Sequence, residues 1–97
     1  MLVELNKLSI VNEGHRRGIT INKIYVNPSH VISIVDYHGA NSFLIREGAQ
    51  ELSNQKFSLV KMNNIKGIEE VIVLGRSEEI FEKFKSNKKN KKDILNG

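Results

Sequence analysis

The chain has no cysteine, which excludes both a disulfide framework and a thiolate metal site. Nowhere does it approach the roughly 20 consecutive apolar residues of a membrane-spanning helix. The opening Met1-Leu2-Val3-Glu4-Leu5 lacks the basic start and apolar run of a secretory signal. The glycosylation-like triplet Asn27-Pro28-Ser29 is disqualified by its proline. Together these absences predict a reducing, cytoplasmic location. Aromatic residues are scarce, with two tyrosines, four phenylalanines and no tryptophan. The core needs most of them, which leaves few for an exposed stacking surface.

The 97 residues provide for one domain. A chain this short buries only about 60–65% of its unfolded surface, too little for a deep enclosed active site. The net charge of +4 is unevenly placed. Residues 83–97 hold six lysines and a single acid, Asp93, while residues 1–82 carry nine basic and ten acidic side chains. The high pI therefore belongs to the tail, and a basic tail is weaker evidence of phosphate binding than a basic folded face.

Residues 2–11 place apolar side chains on both parities, as in a strand covered on both faces. Residues 12–18 read as a loop, Ile19 to Val26 as a second strand, and Asn27-Pro28-Ser29 as its stop. His30 to Tyr37 is nearly continuous in apolar residues and predicts a central strand. His38 to Ser42 is a turn signal, and Phe43-Leu44-Ile45 reads as a short strand. Residues 46–55 suit a loop or one or two helical turns. Phe57 to Met62 and Ile68 to Leu74 form a hairpin about Asn63-Asn64-Ile65-Lys66-Gly67.

Ser77 has N-cap chemistry, followed by Glu78 and Glu79 at the positive end of a helix dipole. Ile80, Phe81 and Phe84 make one stripe expected to lie on the sheet. Beyond Ser86 the Lys/Asn run has too little apolar area to offset its ordering entropy. The expected organisation is a single β-rich domain over 1–86, with a helix at 77–86, and a disordered tail over 87–97. The expected fold is mainly β (α+β by strict count): a curved antiparallel sheet or half-barrel of about five or six strands. The short C-terminal helix should cross one face or one open end.

Chemistry is sparse. His15, His30 and His38 offer no close ligand pair. Glu69 and Glu70 are adjacent on a strand and point to opposite faces. Asp36, His38 and a serine can be drawn as a triad, but geometry rather than presence defines one. No phosphate-binding glycine loop occurs. Neither catalytic nor metal-ligating residues are therefore assigned, and no cofactor is implied.

Two segments carry a family resemblance. Ile24 to Ile34, with Asn27-Pro28-Ser29 at its centre, resembles a segment of small FlbD/SwrD-type bacterial proteins. Val71 to Ile80, with Ser77-Glu78-Glu79, resembles their closing strand-to-helix step, and Leu5-Asn6-Lys7-Leu8 is similar to their opening strand. The resemblance implies a short, cytoplasmic, non-enzymatic protein linked to flagellar function. Similar short proteins also occur in bacteriophages. About thirty additional residues separate the two blocks here.

The expectation is thus a non-enzymatic interaction or regulatory protein that acts through a sheet face or edge and self-associates. Ile68–Leu74 and Leu2–Ile10 are the candidate edges. The alternative is a nucleic-acid-binding module that places Arg16, Arg17, Lys88, Lys89, Lys91 and Lys92 on phosphates.

Overall fold

The computed structural model describes residues 2–96, with the side chains of Glu13, Arg16, Arg17 and 87–96 outside that description. The elements run β1 (Val3–Glu13), β2 (Arg16–Val26), a 3-10 turn (Pro28–His30), β3 (Val31–Tyr37), α1 (Gly39–Arg46), α2 (Gln50–Ser53), β4 (Phe57–Asn64), β5 (Gly67–Leu74) and α3 (Ser77–Asn96). The five strands form one antiparallel sheet in the order β2-β1-β5-β4-β3.

Turn chemistry sets the two hairpins. Glu13 pairs with Arg16, so only Gly14 and His15 form the first turn. Gly14 sits at φ 63 and supplies the positive dihedral that a two-residue turn needs at its first central position. The expected 12–18 loop is therefore corrected: Arg16 and Arg17 belong to β2. In the second hairpin Asn64 pairs with Gly67. The Asn64 Oδ1 accepts from the Lys66 amide at 3.0 Å, and Gly67 takes φ 121.

The sheet cannot be flat. Val26 pairs with Val3, Lys7 with Val73, Met62 with Glu69, and Val31 with Met62. On a flat sheet those registers would set Val26 and Val31 about 30 Å apart. The link Asn27–His30 reaches about 18 Å at full extension, and it contains a compact 3-10 turn. The sheet therefore coils until the Val26 end of β2 reaches the Val31 end of β3, which is the half-barrel expected from the sequence. Val26 and Val31 accordingly share one core cluster.

The two faces have separate cores. The concave face carries Val3, Leu5, Val26, Val60, Val71 and Val73, closed by Ile80 and Phe84 of α3. The outer face carries Leu8 and Phe57, covered by Ala40 and Leu44 of α1. Leu5 and Leu8 lie on opposite parities of β1, so the two-sided reading of that strand holds.

Four expectations are corrected. Phe43-Leu44-Ile45 is helical, because Leu44 is needed on the same face as Ala40, four positions earlier, above Phe57. β3 is an end strand: a bulge between Val31 and Ser33 breaks its register, and Ile32 and Val35 are 53% and 49% exposed. β1 and β5, expected as edges, lie inside the sheet, and the edges are β2 and β3. Phe81 leaves the buried stripe, standing 53% exposed with the Lys85 Nζ 5.5 Å from its ring centre. The α3 backbone extends past the expected end at Ser86. The expected disordered tail over 87–97 falls on residues whose side chains, with all of residue 97, lie outside the described residues.

Candidate interaction edges and the cleft at the head of α3

β2 is an eleven-residue strand paired with β1 along its whole length without a bulge. Antiparallel pairs alternate between residues that exchange both backbone bonds and residues that exchange none. The tight turn makes Glu13 and Arg16 a bonded pair, so Gly18, Thr20, Asn22, Ile24 and Val26 also bond toward β1. The peptide groups of Arg17, Ile19, Ile21, Lys23 and Tyr25 point the other way, out of the sheet. Their neighbours hold this edge in shape. The Tyr25 hydroxyl donates to the Glu4 Oε1 at 3.3 Å, and the Lys23 Nζ lies 3.8 Å from the same oxygen. On the opposite face the Asn22 Nδ2 donates to the Thr20 Oγ1 at 3.1 Å.

β3 is a guarded edge. It has seven residues and the bulge at Ile32. Its Asp36 carboxylate is turned away to accept the Ser77 amide at 2.8 Å. This bond corrects the expected role of Ser77. The first helical bond of α3 runs from the Ile80 amide to the Arg76 carbonyl. Arg76 thus stands at the cap position, Ser77 is the first helical residue, and the capping oxygen comes from β3. The chain can turn there because Gly75 takes φ 117. The Ser58 hydroxyl, fully buried, holds the Gly75 carbonyl at 2.7 Å.

The Ser77 amide, then the Ser77 hydroxyl, hold the Asp36 carboxyl below the usual carboxylate range, with smaller help from His38 and Arg76. A group with a lowered folded pKa stabilises above its unfolded pKa of about 3.9. That contribution is lost as pH falls through the lower folded value. Asp36→Ala should therefore lower the thermal midpoint at neutral pH, and wild type and variant should converge in acid. Thermal melts from neutral to strongly acidic pH check this, and an unchanged gap in acid would count against the cap.

Asp36, Tyr37, His38, Asn41, Lys56, Phe57, Arg76 and Glu78 line an open cleft of about 240 Å³ at this junction. Its floor is Phe57, and the Asn41 Nδ2 is committed to the Ser53 and Gln55 carbonyls. Asp36 and His38 both line the cleft, but the Asp36 carboxylate bonds directly to Ser77. A nucleophilic triad needs the imidazole between them. The charged lining is balanced, with the carboxylates of Asp36 and Glu78 and the cations of Lys56 and Arg76. Asp36 already occupies the helix terminus.

The basic residues are dispersed. Arg16 and Arg17 begin β2 at the hairpin tip, whereas Lys56 and Arg76 lie at the other end of the sheet. Lys88, Lys89, Lys91 and Lys92 fall within α3, their side chains beyond the described residues. His15, His30 and His38 sit in the first turn, the 3-10 turn and the residue before α1. Among the described residues no group of three or more His, Asp or Glu is placed to hold a metal. No helix among them is long and apolar enough to cross a membrane. The blocks that carry the family resemblance form the 3-10 link between the sheet edges and the β5–α3 junction. Comparison of the chain with family models, curated proteins and solved structures gives no match.

Proposed function

We propose that this chain is a small non-enzymatic interaction protein that accepts a further strand along the free edge of β2. One observation carries the reading: an unbulged eleven-residue strand whose outer row of peptide groups has no ladder partner among the described residues. Such an edge is a template for pairing with another chain. Helices already occupy part of both sheet faces, which favours the edge over a face as the working surface. The first partner to expect is another copy, because every molecule presents the same edge.

Light scattering across a concentration series tests the reading, with Lys23→Pro beside Lys23→Ala. Lys23 points its amide outward, so proline removes an edge donor without touching the β1 ladder. In a symmetric pair two donors go and two buried carbonyls lose their partners, at about 1–3 kcal/mol each. Self-association should weaken at least about thirtyfold. Lys23→Ala loses only an exposed ion pair, worth about 0–1 kcal/mol, and should behave as wild type. A wild-type chain that stays monomeric at every concentration would defeat the proposal. Binding to nucleic acid that falls steeply with salt would replace it by the phosphate-contact alternative.

A further inference from the structure

The free edge also specifies how a second copy would sit on it, an inference that rests on the edge-pairing proposal. We infer that two chains pair antiparallel through β2, with Ile21 opposite the partner's Ile21 on a two-fold axis. Three observations select this register. The outward peptide groups belong to the odd-numbered residues 17 to 25, so odd residues must face odd residues. Ile21 is the middle of Arg16–Val26, and pairing about it is the register that uses the whole strand.

Charge separates it from its neighbours. Shifting the centre to Thr20 sets Arg17 directly opposite the partner's Lys23 twice, and a centre at Lys23 opposes the two copies of Lys23. Like charges opposite each other destabilise a ladder. A centre at Asn22 leaves Arg16 and Arg17 beyond the paired stretch. About Ile21, Arg17 comes opposite the partner's Tyr25. That ring is 60% exposed, and its hydroxyl is held by the Glu4 carboxylate. That neighbour is uncharged, so about Ile21 no like charges stand opposite each other. On the concave side, Thr20 comes opposite the partner's Asn22. These two are already hydrogen-bonded within one chain, so the two-fold gathers two amides and two hydroxyls. An isologous interface of this kind closes at two copies and leaves no β2 edge to propagate.

The absence of native cysteine makes the register directly readable. Thr20 and Asn22 bond toward β1, so across the new seam they form the non-bonded pair. Its Cα atoms are about 4.5 Å apart, within disulfide range. Thr20→Cys and Asn22→Cys are prepared separately, then oxidised alone and as an equimolar mixture, in the full-length chain. The expected result is a disulfide-linked dimer in the mixture joining residue 20 to residue 22, with none in either variant alone. Asn22→Cys cross-linking by itself would place the axis one residue further along and overturn the register. Thr20→Cys cross-linking by itself would do so in the other direction. If no variant cross-links but light scattering still shows a dimer that Lys23→Pro disrupts, the register fails and the edge proposal stands. If nothing associates, both fail.

Discussion

Phe57→Ala should cost about 3–5 kcal/mol of folding stability, the range for emptying a buried aromatic site. Phe57 is 2% exposed and opens β4, where it pairs with both Leu74 and Tyr37. It also lies beneath α1, in one cluster with Leu8, Ala40 and Leu44. The cavity cannot close easily, because the surrounding side chains belong to different elements, and the backbones of the strands among them are fixed by the ladder. A chain of this length has a total stability of about 5–15 kcal/mol, so the variant should sit near the edge of unfolding. Urea denaturation checks the value. A loss below about 1 kcal/mol would mean that α1 does not close over this face.

Ile80→Ala should cost about 2–5 kcal/mol through the other core. Ile80 is fully buried and brings α3 against Val60, Val71 and Val73 on the concave face. Phe81 points to solvent and the other early residues of α3 are polar or charged, so its docking rests on Ile80 and Phe84. The expected signature differs from that of Phe57→Ala. Far-UV circular dichroism should lose helical signal before the sheet unfolds, since α3 is attached by its first turns. Phe57 and Ile80 occupy opposite faces and share no cluster. Their effects should therefore add to within about 0.5 kcal/mol in the double variant, provided it still folds. Strong non-additivity would show that the two faces form a single core. An Ile80→Ala variant as stable as wild type would show that α3 is not part of the folded unit.

The elements most legible in the sequence were those set by neighbours in the chain. The β4–β5 hairpin follows from Asn64 and Gly67, and the strand-to-helix break follows from Gly75. The stop after β2 follows from Asn27, whose Oδ1 accepts from the Ser29 amide at 3.0 Å ahead of Pro28–His30. The elements misread were those decided by distant residues. His38 to Ser42 reads locally as a turn and Phe43-Leu44-Ile45 as a strand, and Leu8 and Phe57 settle the matter by requiring Ala40 and Leu44 on one helical face. Ser77 has the chemistry of a cap, yet Asp36, 41 positions away, takes that role. The β2 edge carried a signal that was available earlier. Gly14-His15 suits a two-residue turn, and such a turn puts Arg16 and Arg17 into the strand.

The amino-acid order alone determined a cysteine-free chain with near-neutral charge through residue 82, lysines gathered at its end, and short β segments cut by Asn, Gly and Pro. Those properties act over a few residues, through dihedral preference, capping and side-chain alternation. Tertiary structure decided which strands lie inside and which lie at the edge, because that depends on registers between segments far apart in the chain. Pairing of Lys7 with Val73 draws β1 and β5 into the middle and leaves β2 and β3 outside. The short link between those end strands then forces the coil. Alternation along one strand states which side chains share a face, but it holds no information about which other strand lies alongside.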